Sequence, residues 1–220
     1  MNQKPQEVLA DFHFACQLFY QGLHQAPSDD FFQNIKDIPF AEIWGKSSNS
    51  SIQEGVSLIT NELQSSSDLN TIRQDFAALF VGPNVLRAAP WGSVYLTEEQ
   101  TLCGESTLAV KAFYRECGLA IDTGEREPED HLGLMFAFMA DRITRMHDAL
   151  EAGGSIDGDM DILKSFLTDH VLTWAPRFLE VLHDNAETSF YQGLSQLIEG
   201  NLQLMASFTG AEYKIVRLFR

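Results

Sequence analysis

Cysteine is scarce in this chain and badly placed for a framework. Its 220 residues include three, Cys16, Cys103 and Cys117, far apart and odd in number, with no Cys-x-x-Cys pair. That argues against a disulfide scaffold and a cysteine zinc site. All three fall on or beside apolar helical faces, so buried free thiols are expected, which suits a reducing cytoplasm. Long apolar runs are missing too. The longest, Leu132 to Ala140, is broken only by Gly133 and is less than half of what a membrane-spanning helix needs. The opening residues, Met1-Asn2-Gln3-Lys4-Pro5-Gln6-Glu7, lack the basic-then-apolar order of a secretory signal, so a cytoplasmic protein without stable membrane insertion is expected. Basic residues are few: 15 Lys and Arg stand against 31 Asp and Glu, a formal net charge of −16. Such a surface repels nucleic acid and anionic lipid and favours a basic partner. Acidity that serves only solubility is the other reading.

Motifs that carry catalysis are also lacking. The chain contains no GxGxxG or GxxxxGK[ST] phosphate loop, no GxSxG nucleophile elbow and no HExxH zinc motif. A carboxylate-bridged di-iron bundle needs two ExxH pairs on facing helices. Here there is one, Glu180 and His183, which fits a helix-surface interaction better than a metal site. His13, His24, His147 and His170 are scattered without ligand spacing. Missing motifs shift the weight toward binding, and no catalytic residue, metal or cofactor is assigned from them.

Strand signals are scarce, and only Gly92-Ser93-Val94-Tyr95-Leu96 looks extended; it is too short for more than loop. What fills the chain is helical periodicity. Leu9, Phe12, Cys16, Phe19 and Leu23 repeat at three and four, as do Leu69, Ile72, Phe76, Leu79 and Phe80. Leu132, Met135, Met139, Ile143, Met146 and Leu150 form the clearest stripe. Later come Val171, Trp174, Phe178 and Leu182, then Phe190, Leu194, Leu197, Leu202, Met205 and Phe208. Gly82-Pro83, Gly118 and Gly153-Gly154 supply stops. Thr97-Glu98-Glu99-Gln100 reads as a capping box and Asp159 as a cap. Pro176 suits a first helical turn, so a break near Trp174 is expected. The fold class is all-α, with about 8–11 helices in one domain spanning 1–220: an N-terminal half to about 118, a linker over 119–127 and a C-terminal half from 128.

Two irregular stretches stand out. Residues 82–96 form a long loop carrying Trp91, Tyr95 and two prolines, and residues 119–131 link two strong helices. Long aromatic loops often carry function. The second stretch ends in Glu127-Pro128-Glu129-Asp130-His131. In one reading Glu127 caps a helix, Pro128 is its first residue, and Glu129 and Asp130 complement the helix dipole. In the other, three carboxylates and an imidazole make an acidic pocket suited to arginine, whose guanidinium donates paired hydrogen bonds.

Taken in order, these segments resemble a known family. Asp75-Phe76-Ala77-Ala78-Leu79-Phe80-Val81-Gly82-Pro83, then Pro90-Trp91-Gly92-Ser93-Val94-Tyr95-Leu96, then Glu127-Pro128-Glu129-Asp130-His131-Leu132-Gly133 are similar to the signature of the TorD/DmsD redox-enzyme maturation chaperones. Gly104-Glu105-Ser106-Thr107-Leu108-Ala109 and Trp174-Ala175-Pro176-Arg177-Phe178-Leu179 add to the match. The Pro-Trp-Gly-Ser-Val element and the closing Leu218-Phe219-Arg220 resemble the DmsD branch, although Phe76 stands where that branch usually has Trp. The resemblance implies an all-helical, non-catalytic chaperone. Its partner would be the twin-arginine signal peptide of a molybdopterin-containing reductase, dimethyl sulfoxide reductase first among the clients, and the twin-arginine translocase would receive the loaded client. The family's binding positions fall on Leu79, Phe80, Pro90, Trp91, Asp130 and His131. Joined with the residue reading, Phe76, Leu79, Phe80 and Trp91 are expected to line an apolar groove. Glu127, Glu129 and Asp130 are expected to attract the arginines, and His131 to position Asp130 or contact the peptide. Two alternatives remain: a small helical enzyme or nucleotide-binding protein using Asp130 and His131, and a chaperone for another reductase or dehydrogenase.

Overall fold

A computed structural model describes residues 4–65, 68–83, 85–119 and 127–220. The helices, in chain order, are α1 (Pro5–His24), α2 (Asp29–Asp37), α3 (Phe40–Ile43), α4 (Ser50–Gln64), α5 (Leu69–Phe76), α6 (Gly92–Leu96), α7 (Glu105–Glu116), α8 (Leu132–Glu151), α9 (Asp157–Phe166), α10 (Ala175–Asn185) and α11 (Ser189–Thr209). π-Helical turns at Ala77–Val81 and Leu167–Val171 extend α5 and α9. Among the described residues there is no strand, only an isolated antiparallel bridge between Trp91 and His131. The expected all-α class is what the chain adopts. No described helix is long and apolar enough to cross a membrane.

Side-chain caps start several helices where the sequence offers small polar residues. Ser28, Asn49 and Asp68 accept from the backbone N–H groups of Phe31, Ile52 and Asn70. Gly82 takes φ +93 and closes the first π-helical turn, its N–H donating to the Ala77 carbonyl at 2.9 Å. Gly118 and Gly153, both at φ +72, end α7 and α8, since a left-handed residue there costs glycine least.

The chain divides into two compact units that are discontinuous in sequence. The first joins Met1–Tyr20, Trp91–Ala175 and Leu204–Arg220; the second joins Gln21–Pro90 and Pro176–Gln203. The halves expected at 1–118 and 128–220 divide the chain differently, and most of the expected linker, residues 120–126, lies outside the described residues.

The first unit is built around α8, whose Leu132, Met135, Met139, Ile143 and Met146 are buried at the expected spacing. Its buried Arg142 pairs with Asp159 at 3.2 Å and with Asp141, and lies over the Phe138 ring. Phe138 in turn packs on Phe166 and Tyr114, with ring centroids 4.5 and 4.7 Å away. In the second unit α4 and α11 meet backbone to backbone. A Cβ on Gly55 would come within 2.7 Å of the Gly193 carbonyl, and one on Gly193 within 2.8 Å of Ile59.

Four local expectations are corrected. Residues 92–96 are helical, not loop. Thr97 does not cap α7: its hydroxyl donates back to the Ser93 carbonyl, and the positive φ of Gln100 and Cys103 turns the chain before α7 starts behind Gly104. Asp159 does not cap α9, which begins at Asp157; its carboxylate is held by Arg142 instead. Of the thiols only Cys16 is buried, where desolvation pushes its pKa far up; Cys103 is exposed on its turn and Cys117 half-buried.

Candidate functional site

The segment 127–131 is a turn, not the first turn of a helix. His131 N–H donates to the Pro128 carbonyl at 3.1 Å, and His131 itself is extended. The helix therefore starts four residues later than the Glu127-cap reading places it. Its cap is His131, whose Nδ1 accepts from Gly133 N–H at 3.0 Å. That acceptor role leaves Nε2 as the proton-bearing nitrogen of the neutral ring.

The extended backbone at His131 pairs with Trp91, and Gly92 N–H donates to the Asp130 carbonyl at 3.1 Å. The Asp130 side chain continues this contact: its Oδ2 accepts from Ser93 N–H at 2.6 Å, satisfying the start of α6. Trp91 meets His131 edge-on, centroids 5.5 Å apart, and its indole N–H donates to Glu127 at 2.6 Å. Glu129 pairs with Lys111 of α7, and Tyr114, one turn further along α7, donates its hydroxyl to the Glu129 carbonyl at 3.3 Å.

The first unit thus brings Trp91, Glu127, Glu129, Asp130 and His131 together. Their exposure differs. Asp130 and His131 are buried, at 1% and 4%, whereas Trp91, Glu127 and Glu129 are half-buried. The surroundings are electronegative: burial first, then the charges of Asp130 and Glu129, push the Tyr114 hydroxyl well above its ordinary pKa. Two acceptor oxygens in this cluster, Asp130 Oδ1 and Ser93 Oγ, are buried without a hydrogen-bond partner among the described residues. A buried lone acceptor is costly, and a donor that reached it would be bound strongly.

Phe76, Leu79, Phe80 and Pro90 belong to the second unit and are buried there. Leu79 has no exposed surface, and Phe76 and Phe80 retain 5% and 6%. Both rings pack on Tyr191 of α11, at 6.3 and 5.6 Å. The exposed apolar side chains beside them are Val81 and Val85, which sequence reasoning did not single out. Their only signal was position, at the mouth of the long loop. Asp75 was likewise quoted in the signature without a role. It is buried and accepts from Glu187 N–H, Thr188 N–H and the Thr188 hydroxyl, fixing the start of α11.

The lone ExxH pair gathers no ligand set. Glu180 pairs with Arg177, and His183 Nδ1 lies 3.5 Å from the Gln192 carbonyl and the Ser195 hydroxyl. Both line a cavity of about 370 Å³ with Asp184 and Glu199.

The class of protein is shown by its relatives. Residues 48–180 match the family model described as nitrate reductase delta subunit. Over 152 residues the chain is 37% identical to a Tat proofreading chaperone DmsD of Haemophilus influenzae, covering 68% of this chain and 67% of that one. It is 38% identical over 130 residues to the DmsD of Salmonella typhi, 58% of this chain and 56% of that protein. The chaperone TorD of Vibrio vulnificus is 25% identical over 201 residues, 90% of each chain. A crystal structure of a redox enzyme maturation protein from Archaeoglobus fulgidus shares the fold, with a TM-score of 0.50 at 17% identity, covering 90% of this chain and 96% of that one. The chain belongs to the TorD/DmsD family of redox-enzyme maturation chaperones. It is a chaperone and not an enzyme.

Proposed function

We propose that this chaperone binds the twin-arginine signal peptide of a molybdopterin-containing reductase in the cytoplasm. It holds the apo-enzyme back from export until cofactor is inserted, then passes it to the twin-arginine translocase. Dimethyl sulfoxide reductase is the proposed client, in keeping with the stronger similarity to DmsD than to TorD relatives.

The observation that carries the reading is the cluster around Trp91. Glu127 and Glu129 are the half-buried carboxylates, and Glu127 holds the indole N–H of Trp91, a ring whose chemistry suits both an apolar side chain and a guanidinium. Asp130 and His131 act from beneath, by holding α6 and α8 so that Trp91 keeps its place. Phe76, Leu79, Phe80 and Pro90 are buried in the second unit, and their proposed part in holding the signal's apolar stretch is separate from that cluster, with Val81 and Val85 as the exposed apolar contacts of that unit. Replacing Glu127 by Gln keeps a hydrogen bond to the indole but removes the charge. It should weaken a twin-arginine peptide about three- to tenfold while leaving an arginine-free version unchanged. Equal affinities of Glu127→Gln and wild type for the twin-arginine peptide would contradict the role given to Glu127.

A further inference from the structure

Glu129 is not waiting bare for a guanidinium. Lys111 reaches it from α7 with its side chain still 42% exposed, and Glu129 keeps 20%. The other two carboxylates are engaged differently: Glu127 takes the Trp91 indole and Asp130 takes Ser93 N–H. Glu129 alone of the three is neutralised by a cation of the chain itself, among the described residues.

We propose that Lys111 is an internal stand-in for the client's arginine, displaced from Glu129 when the signal peptide docks. The proposal rests on the reading of this cluster as the signal-peptide site. An ammonium is a point charge on a flexible stem, whereas a guanidinium presents a planar fork that matches a carboxylate with two parallel hydrogen bonds. The exchange is therefore favourable for arginine and close to neutral for lysine. An exposed lysine pair is weak enough to be released. The backbone of Glu129 need not move while its side chain changes partners, because Tyr114 holds the Glu129 carbonyl from the same face of α7, three residues beyond Lys111. Lys111 thereby acts as a competing internal ligand of Glu129. It lowers the affinity of every segment that must take Glu129, so that only one with good pairing geometry gains there, and it keeps client binding reversible.

The test is calorimetric titration of wild type, Lys111→Gln, Glu129→Gln and the double variant with three peptides: twin-arginine, twin-lysine and twin-alanine forms of one signal sequence. Arg115→Gln removes the same charge from an exposed site on the same helix and controls for net charge. Lys111→Gln should bind the twin-arginine peptide about two- to fivefold tighter than wild type, and the twin-lysine peptide by no larger a factor, since releasing Lys111 costs the same whichever cation displaces it. Both gains should vanish in the Glu129→Gln background. A gain no larger than that of Arg115→Gln, or one that persists without the Glu129 charge, overturns the exchange. A wild type that discriminates arginine from alanine while Lys111→Gln gains nothing overturns it and leaves the binding site standing. Equal binding of the arginine and alanine peptides by wild type removes both.

Discussion

Single side chains carry two tasks in this molecule, holding the frame and presenting charge, and Asp130 shows how closely they are tied. Its carboxylate is 1% exposed and receives Ser93 N–H at 2.6 Å. A charge-assisted bond to a helix start contributes about 1.5–3 kcal/mol. Asp130→Ala should therefore lower unfolding free energy by about 1–3 kcal/mol in urea titration, and any loss of peptide affinity includes this disordering of α6. An unchanged midpoint would show that the Ser93 contact holds nothing. Glu199 makes the opposite case. Burial first, and then the charge of Glu180, raise its pKa above the ordinary 4.5, while a hydrogen bond from Gln203 offsets part of this. A carboxyl whose folded pKa is raised opposes folding when ionised, and the penalty is relieved as pH falls through the folded value. Glu199→Gln should melt above wild type at pH 7, with the difference shrinking toward pH 4.5. A constant difference across that range would mean that the charge is not its cause.

Among elements, the close approach of α4 and α11 depends on glycine. Gly193 faces Gly55 with no room for a Cβ, which would meet Ile59 at 2.8 Å and the Gly55 carbonyl at 2.9 Å. Gly193→Ala should cost about 1–3 kcal/mol, read from the same urea midpoints, despite its gain in helix propensity; a stabilised variant would show that the helices part freely. The stripe of α8 and the breaks at Gly82, Gly118, Gly153 and Pro176 were legible because period and backbone chemistry are local. The start of α8 was not. Pro128 and two acids imitate a helix N-terminus, but His131 is drawn into an extended bridge with Trp91, forty residues earlier, and no local pattern reports that. The same long-range contact makes 92–96 helical, since Asp130 supplies the donor's partner that its own sequence lacks. The charge cluster of the candidate site could be read from Glu127 to His131. What could not be read is which acids stay accessible, because burial is set by tertiary packing. Phe76, Leu79 and Phe80 illustrate this: their spacing serves a core and a groove equally, and Tyr191 of α11 takes the Phe76 and Phe80 rings.

Over the whole molecule the −16 charge gains meaning from the family. A field of that sign accelerates encounter with a basic segment and weakens with salt, whereas in the proposed function the local carboxylates select which basic segment stays. Whether this chaperone reads paired arginines through Glu127 and Glu129 is decided by calorimetric titration with a dimethyl sulfoxide reductase signal peptide and its double-alanine counterpart, each at low and at moderate salt. The first peptide should bind at both salt levels, more weakly at the higher, and the second at least tenfold more weakly, the loss expected when charge-assisted pairs worth about 1.5–3 kcal/mol are removed. Equal affinities for the two peptides would contradict that reading.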